Sequence, residues 1–466
     1  MGVKSGRLAA GARALAGKGV EEYAGLFGPW LDAEALFGSG HRKRLFSPPR
    51  VFWLFLSQTL SPDGTCREAL QKFLAWLSFS EGREASPNTC AYCRARERLS
   101  ADKLRQAQAE LPGKIESSAP SPWRWHGHPV KVVDGSGLSM PDTAGNQKMY
   151  PQSKRTKKGC GFPEMRIVAL FSLATGVLLQ YAKGSRKVAE RTLFRKLWNA
   201  LEAGDVLLAD RGFCSLADYH LLLQRGVNLV MRLHQRRTKG VRVVKKLGRG
   251  DMLVEWTKSK VRPRWLTPKR WAAIPGAVRV RHITFSVDIK GFRTTRITLA
   301  TTLLDPGEFP ASHFADLYRR RWAVELYFRD IKISLGMDIL RCQTPEMIEK
   351  EIIMHVIAYN LIRATMLQAA AAQGRDIARI SFKGTCQAIR EWAPLLALAP
   401  ARDRQRLVEA MLKAIARAPV PFRPDRTEPR AKKRRPKNYQ LLNKPRRQFK
   451  ECPHRNKYTK IQEALS

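Results

Sequence analysis

The chain has 466 residues and 44% hydrophobic content, which is ordinary for a globular protein and excludes a disordered one. Its charge departs from the ordinary, because 84 Lys and Arg against 40 Asp and Glu give a formal net charge of +44. This excess predicts a polyanionic partner, most commonly DNA or RNA. A membrane surface is the weaker alternative, since no apolar run approaches the roughly 20 residues needed to span a bilayer.

The N-terminus is basic and rich in small residues, and it lacks the apolar centre of a secretory signal. We therefore expect a basic arm and a cytoplasmic location. The eight cysteines include a single C-x-x-C pair, Cys90 and Cys93, with no second pair at zinc-ribbon spacing. Structural thiols in a reducing cytosol are the simpler expectation for them.

Helical periodicity dominates from about Trp30 to Glu110. Turn residues in "SPDG" at 61–64 divide the first part into two amphipathic segments, and a second helical pair begins at "SPN", residues 86–88. We expect a small helical module with basic faces. Its Arg-rich "CRARERL" stretch is a candidate for recognising DNA sequence, although a solvated helix face explains it as well.

From Pro129 the pattern changes to that of strands. The segments "VKVVDGSG", "RIVALFSLA" and "GVLLQYAKG" predict three strands, and a helix follows from about Glu190 to Glu202. A buried strand then ends on Asp210 in "GDVLLADRGF", before the helix "LADYHLLLQRG" and the strand "VNLVMRL". Strands followed by alternating helix and strand predict an α/β layer with a mixed sheet.

Residues 235–302 are strand-like again and carry three tryptophans, which predicts a β-rich insertion. Helical signals resume near Ala311, and the long apolar helix "EMIEKEIIMHVIAYNLIRATMLQAAAA" follows. The last stretch, residues 423–460, is strongly basic and includes "PRAKKRRPK". A solvated tail and a polyanion-binding tail are compatible explanations of it.

The stretch "YRRRWAVELYFRDIK" predicts one helix with a narrow polar stripe. Its stripe residues fall within an arc of roughly 60° at about 100° per residue, and they are Tyr318, Arg321, Glu325 and Lys332. The opposite face carries Val324, Phe328 and Ile331, which we expect in a core. One carboxylate between two cations and a phenol indicates that the stripe is aimed at a single site.

Two further carboxylates, Asp134 and Asp210, each follow an apolar strand. Functional groups of α/β sheets gather at the carboxyl ends of strands, so we expect these two side chains in one crevice. Carboxylate oxygens suit Mg²⁺ or Mn²⁺, and Glu325 on the helix could complete a three-carboxylate site. Two-metal carboxylate sites catalyse in-line displacement at phosphorus. For either aspartate alone, an ordinary turn after a strand is the simpler explanation.

Taken together, these residues resemble the DDE transposases of bacterial insertion sequences, in the family named for insertion sequence four. The chain matches the Y-x2-R-x3-E-x6-K signature of that family at every fixed position. Five further stretches carry the resemblance: "DGSGLSMPDTAGNQKMYPQ", "GCGFPEMRIVALFSLATG", "GDVLLADRGF", "TTLLDP" and "AYNLIRATM". The resemblance covers nearly the whole chain.

The resemblance implies an α/β fold with a ribonuclease H-like catalytic core that a β-rich insertion interrupts before the third acid. It implies a division into a helical N-terminal DNA-binding region at 1–128, core at 129–234, insertion at 235–302, core at 303–372, and a helical C-terminal region with a basic tail at 373–466. It further implies a homodimer that pairs two DNA ends, in a bacterial, nucleoid-associated protein.

The resemblance also implies roles for individual residues. Asp134, Asp210 and Glu325 match the metal-binding catalytic triad, which uses two Mg²⁺ or Mn²⁺ ions. Tyr318, Arg321 and Lys332 match the positions that hold DNA phosphates. The implied reaction frees a 3′-hydroxyl at each transposon end by hydrolysis, opens the second strand through a hairpin, and joins the end to target DNA.

Other residues leave alternatives open. Arg211 follows Asp210 and could contact a substrate phosphate or form an internal salt bridge. Glu190 is interpreted first as a helix cap. Of the tryptophans in the insertion, one could hold a flipped base, although core packing is the simpler role for all three: Trp256, Trp265 and Trp271.

Two functions of other classes also remain open from the sequence. One is a non-catalytic DNA-binding protein, either a decayed or an inhibitory transposase derivative. The other is a nuclease of the same fold that cuts DNA without joining it.

Overall fold

A single sheet organises the parts of the chain that the computed structural model describes, residues 23–38, 44–118, 124–234, 241–286, 296–421 and 442–449. Its strands are β1 Val130–Ser139, β2 Glu164–Ser172, β3 Leu178–Ser185, β4 Val206–Ala209, β5 Asn228–Arg232, β6 Arg242–Gly248, β7 Asp251–Thr257, β8 Ala277–Ser286 and β9 Arg296–Thr301. Their order in the sheet is β3-β2-β1-β4-β5-β9-β8-β7-β6.

Helices pack against both faces of this sheet and beyond its edge. The helices before β1 are α1 Ala24–Phe27, α2 Ala33–Phe37, α3 Pro48–Leu60, α4 Cys66–Glu81, α5 Cys90–Arg98 and α6 Ala101–Ser117. Those between β1 and β9 are α7 Ala144–Met149, α8 Glu190–Arg195, α9 Leu216–Leu223 and α10 Pro268–Ala272. The later helices are α11 Ala311–Arg320, α12 Ala323–Arg329, α13 Pro345–Ala372, α14 Phe382–Leu398 and α15 Ala401–Arg417.

The strand order confirms the expected α/β fold with a ribonuclease H-like core. Strands β1, β2 and β3 form an antiparallel meander, whereas β4 pairs parallel to β1 and β5 parallel to β4. Strand β9 then pairs antiparallel to β5, so β6 to β9 extend the same sheet instead of forming a separate one.

The predicted helical module is confirmed in outline. Helices α3 and α4 are separated at the predicted turn, and the Thr65 side chain caps α4 by accepting the Glu68 backbone N–H at 3.2 Å. Helix α5 begins directly after the "SPN" turn. Of its arginines, Arg96 is buried and donates to Gln58 Oε1 at 3.0 Å, so this side chain holds the module together and is withdrawn from its surface.

The two faces of the central sheet bury different side chains because successive residues of a strand alternate between faces. Val132 and Leu208 belong to one large core, which also receives α12 and α13. Val133 and Leu207 belong to a second core on the opposite face. Whether a residue of β1 or β4 stands at an odd or an even position along its strand therefore decides the face on which its side chain lies.

Helix α13 is the central helix of the larger core. In the described part of the chain it is the one helix long and apolar enough to cross a membrane, yet 94% of its apolar window is buried inside the protein. Three side chains of this helix donate hydrogen bonds to backbone carbonyls of the β2–β3 turn. They are Tyr359 to Gly176 (2.6 Å), Asn360 to Leu178 (2.9 Å) and Arg363 to Thr175 (2.9 Å). The "AYNLIR" motif thus fixes this turn to α13.

Three local expectations were wrong or fall outside the described residues. The helix expected from Glu190 to Glu202 ends at Arg195, and a short 3-10 turn, Trp198–Ala200, follows it. Asp134 does not end its strand, because β1 continues to Ser139. The basic N-terminal arm and most of the basic tail, including "PRAKKRRPK", lie outside the described residues.

Candidate active site

Asp134 and Asp210 belong to two neighbouring parallel strands or their ends. The register pairs Val132 with Leu208, and each aspartate stands two residues further along the chain, Asp134 within β1 and Asp210 directly after β4 ends at Ala209. Residues two apart in a strand share a face, so Asp134 lies on the face of the larger core, where α12 packs, and the charge of Asp210 acts on its carboxyl. The parallel pairing of β1 with β4 stops before Asp134, which opens the sheet at this point although β1 itself continues.

The signature stretch is not the continuous helix that its sequence predicts. Helix α11 ends at Arg320, and i→i+3 hydrogen bonds tighten the chain through Arg321 and Trp322 before α12 begins at Ala323. After α12, residues Asp330–Ser334 form one turn of π-helix. The buried face is as expected, since Val324, Phe328 and Ile331 all enter the larger core.

Arg321 lies between two carboxylates of the predicted triad. Its Nη1 is 3.8 Å from Asp134 Oδ2, and its Nη2 is 3.8 Å from Glu325 Oε1. The Arg321 side chain is only 12% exposed, and its Nε is buried without an acceptor among the described residues. A buried, unsatisfied donor costs free energy, so an incoming anionic oxygen would be favourable here.

The pKa of Asp134 responds to the charges of the other two acids. The pKa of the Asp134 carboxyl is raised to about 6, mainly by burial and to a smaller extent by the charges of Asp210 and Glu325, while the Gly135 backbone N–H and Arg321 act to lower it. The Gly135 N–H donates to Asp134 Oδ1 at 2.8 Å. Asp134 is therefore a carboxyl that a nearby cation would readily hold in its charged form.

Lys332 and Tyr318 extend the stripe on either side of these acids. Lys332 Nζ donates to Ser136 Oγ at 3.1 Å and to the Gly137 carbonyl at 2.9 Å, which places its charge along β1 just beyond Asp134. Tyr318 is buried, and its pKa is raised by burial and by Asp210 while Arg321 lowers it. The phenol thus keeps its proton as a donor at neutral pH.

Glu190 is a neighbour of the site that the sequence interpretation undervalued. It lies in the first turn of α8 as expected, although the N-cap residue itself is Ala189. Its carboxylate also lies against β1, since a Cβ added to Gly135 would be 3.0 Å from Glu190 Cδ. Arg166 Nε lies 3.5 Å from Glu190 Oε1. The glycine after Asp134 was the available signal, because it leaves room for this side chain.

The remaining candidates are more dispersed. Arg211 is exposed in the 3-10 turn that Asp210 caps, and it makes no ion pair with any described residue. Trp256 is buried and donates to His282 Nε2 at 2.9 Å, which confirms core packing for this residue. Trp265 is 38% exposed, and the Arg195 guanidinium lies 3.7 Å from its ring centroid. Trp271 is partly buried beneath Lys258.

The donor set fits a hard divalent cation in its chemistry. Asp134, Asp210 and Glu325 offer carboxylate oxygens, and a bound cation would offset both the burial and the neighbouring negative charges that raise the pKa of Asp134. Across the described ranges, however, no three His, Cys, Asp or Glu side chains are drawn together closely enough to hold an ion. Cys90 and Cys93 are free cysteines.

Comparison with known proteins identifies the class. A family model described as the transposase DDE domain matches residues 125–361, more than half of the chain. The chain belongs to this family, and the similarity reported below supports its place among transposases of the insertion-sequence-four family. Membership makes it a DNA-binding phosphoryl-transfer enzyme of a family that uses divalent metal ions.

Individual proteins resemble it to different extents. It is 27% identical over 419 residues to the transposase InsG for insertion sequence element IS4 of Escherichia coli (strain K12), covering 88% of this chain and 91% of that protein. It is 39% identical over 64 residues to the transposase for insertion sequence element IS421 of Escherichia coli, covering 14% of this chain and 17% of that protein. A cryo-EM structure of the piggyBac transposase synaptic complex with hairpin DNA matches with a TM-score of 0.42 and 9% identity, over 82% of this chain and 81% of that one.

Proposed function

We propose that this transposase cleaves DNA strands at transposon ends and transfers the freed ends into target DNA, in a metal-dependent, cut-and-paste reaction that passes through hairpin ends. The observation that carries the proposal is the position of Arg321, 3.8 Å from a carboxylate oxygen of Asp134 and 3.8 Å from one of Glu325. Acids from a strand and a helix thus lie on either side of one cation, and the charge of Asp210 also acts on Asp134.

Asp134, Asp210 and Glu325 would hold two Mg²⁺ or Mn²⁺ ions. When bound, such ions supply activation of the attacking hydroxyl and stabilisation of the leaving oxygen at phosphorus. The chain's own part is to present charged carboxylates, and Arg321 favours the charged form of Asp134 by lowering its pKa.

The cations and the phenol of the stripe would position the scissile phosphate. Arg321 has the fork of donors that matches phosphate oxygens, and its Nε has no acceptor among the described residues. Lys332, anchored on Ser136, adds a point charge beside it, and Tyr318 adds a neutral donor. Arg211 is exposed and free of ion pairs within the described residues, which supports a phosphate contact for it as well.

The wider assembly is part of the same proposal. Two copies of the chain would hold two terminal inverted repeats together, in the bacterial cytoplasm and on the nucleoid. The net charge of +44 supports an extended DNA contact. We keep the division of the chain into the five ranges proposed from the sequence, with the helical region at 1–128 as the contributor to DNA binding before the core.

The test needs the natural substrate, which the DNA flanking the gene should supply as short inverted repeats. Purified protein is incubated with a duplex that carries one such repeat, with Mg²⁺, and the products are separated on a denaturing gel. We expect cleavage at the repeat boundary, loss of cleavage in Asp134→Ala, and retention in Asp316→Ala, which removes an exposed acid of α11.

Other outcomes would favour the other functions. Cut ends without any joined product in the presence of target DNA would indicate a nuclease. Tight binding without cleavage by the unaltered protein would indicate a non-catalytic or inhibitory derivative. Cleavage that persists in Asp134→Ala would contradict the proposed roles of the acids.

A further inference from the structure

A short segment near the C-terminus docks on the loop that follows β1. In residues 442–449, Arg446 Nε lies 2.7 Å from Asp142 Oδ2, and the Arg446 backbone N–H donates to the Gly159 carbonyl at 3.1 Å. Pro445 packs on Gly159, and the Arg446 guanidinium lies 5.5 Å from the Phe162 ring centroid. The Asp142 side chain is only 10% exposed, so this ion pair is partly shielded from solvent.

The loop that receives this segment has a defined shape. Gln152 organises it: its Nε2 donates to the carbonyls of Thr156 (3.1 Å) and Lys157 (3.0 Å), and its Oε1 accepts the N–H groups of Gly159 and Gly161. Gly159 has φ of +79°, a conformation that glycine adopts without strain. The loop therefore presents its side chains from a fixed backbone.

Exposed cations line both partners of this contact. The loop contributes Lys154, Arg155, Lys157 and Lys158, and the docked segment contributes Lys444 and Arg447. Within the described ranges none of these six side chains has an acidic partner in an ion pair. Uncompensated cations fixed close together repel one another, so this surface, here called the basic collar, favours an anionic partner.

The loop of the basic collar follows β1, the strand that carries Asp134. Lys332 is anchored on Ser136 and Gly137 in β1, and the loop begins where β1 ends at Ser139. The five residue steps from Asp134 to Ser139 span about 17 Å of strand. That length corresponds to about five base-pair steps of duplex DNA.

We propose that the basic collar binds the phosphate backbone of duplex DNA beside the active site, and that the Arg446–Asp142 ion pair holds Lys444 and Arg447 in it. The proposal rests on the proposed function for its choice of DNA as partner. The chemistry recognised is a regular array of phosphates, without sequence readout, because the loop and segment offer lysine and arginine cations.

An acidic protein is the alternative partner, and the composition of the collar argues against it. Protein interfaces centre on buried aromatic and apolar anchors, and lysine is depleted from them. The collar consists mainly of lysines and arginines on turns, and its one exposed aromatic ring, Phe449, is covered by Lys444 at 4.7 Å. A phosphate backbone needs no apolar anchor.

The first test measures how the affinity for a duplex of unrelated sequence falls with salt. In the variant Lys154→Ala/Arg155→Ala/Lys157→Ala/Lys158→Ala, we expect the slope of log K against log salt to become shallower by about 3 to 4, since each phosphate contact contributes about 0.9. The matched control is Arg402→Ala/Arg406→Ala/Lys413→Ala/Arg417→Ala, which removes four exposed cations of α15. An equal change in both variants would overturn the proposal, because it would reflect net charge alone.

The second test separates the ion pair from the charge. Asp142→Asn makes the chain more positive, so net charge alone predicts tighter DNA binding. The proposal predicts the opposite: release of the docked segment should make the slope shallower by about 2 and weaken binding roughly tenfold at low salt. Arg446→Ala should weaken binding in the same way. Unchanged or tighter binding by Asp142→Asn, with an unchanged melting temperature, would overturn the role of this ion pair.

These outcomes can be told apart from failure of the proposed function. Each variant is also tested for cleavage of a repeat-bearing duplex at low salt. If the unaltered protein cleaves DNA and the collar variants bind unrelated duplex as well as it does, only the collar is contradicted. If the unaltered protein neither binds nor cleaves DNA, the proposed function itself fails.

Discussion

The guanidinium of Arg321 lies 3.8 Å from the carboxylate of Asp134, although the two residues come from different elements far apart in sequence. This contact joins β1 to the turn between α11 and α12, and its positive charge lowers a pKa of Asp134 that burial and the neighbouring acids raise. The charge state of the candidate active site therefore depends on the arginine of the signature stretch.

Removing this arginine should raise the pKa of Asp134. In Arg321→Ala the carboxyl loses the cation that lowers its pKa, so the pKa should rise above about 6. NMR titration of protein with labelled aspartate carboxyls measures this directly. Arg320→Ala, which removes an exposed neighbouring cation, should leave the titration unchanged. A fall in the pKa of Asp134 in Arg321→Ala would contradict the assignment.

Asp134 should also make stability depend on pH in metal-free buffer. A carboxyl whose pKa is raised to about 6 in the folded state stabilises the fold below its ordinary pKa, and this stability is lost as the pH rises through about 6. Asp134→Asn stays neutral, so it should exceed the unaltered protein by about 1 to 3 kcal/mol at pH 8 and match it near pH 4. Urea unfolding with chelator measures the difference.

The matched control for this pH effect is Asp316→Asn, whose side chain is exposed. Its stability should follow that of the unaltered protein across the same pH range. A stability gain in Asp134→Asn that was the same at both pH values would point to packing and would contradict titration as the cause.

The hydrogen bonds from the "AYNLIR" motif to the β2–β3 turn predict a large loss of stability when Gly176 is substituted. This residue has φ of +71°, and a Cβ there would lie 1.7 Å from Arg363 Nη2. Gly176→Ala should therefore lose roughly 3 kcal/mol or more of unfolding free energy, because backbone strain adds to a clash with a buried side chain. Gly204→Ala, at φ of +91° with no atom near its Cβ, should lose only about 1 kcal/mol. Equal losses would show that Arg363 does not hold the turn.

A buried ion pair joins the extended sheet to the start of α11. Arg281 is fully buried, binds both carboxylate oxygens of Asp251, and donates to the carbonyls of Asp305 (3.1 Å) and Phe309 (2.8 Å). Arg281→Ala should cost about 3 to 5 kcal/mol, since it leaves a buried carboxylate unpaired. Arg279→Ala breaks an exposed 3.8 Å pair on the same strand and should cost less than about 1 kcal/mol. Chemical denaturation of both variants tests this contrast.

Periodicity predicted the parts of the molecule that local sequence determines. Asp210 directly follows the short apolar strand β4, as the sequence predicts. The apolar face of the signature stretch, with Val324 at its centre, was predicted by helical spacing alone. The free energy gained by hydrophobic burial is roughly proportional to the apolar area removed from water. The spacing of apolar residues in the sequence therefore predicts which face of an element is buried.

What the sequence could not predict depends on contacts between distant segments. The interruption of the signature helix and its π turn occur in a stretch that contacts β1, where Lys332 donates to Ser136. The contact of Glu190 with Gly135 joins two elements that have no shared periodicity. The docking of Arg446 on Asp142 is likewise invisible in either segment alone.

The most direct test of the central claim compares the unaltered protein with Glu325→Gln on one repeat-bearing duplex. The substitution keeps the size of the side chain and removes the charge that faces Arg321. We expect both proteins to bind the duplex with similar affinity in Mg²⁺, and only the unaltered protein to cut it at the repeat boundary. Cleavage by Glu325→Gln at an undiminished rate would contradict the assignment of this helix to the active site.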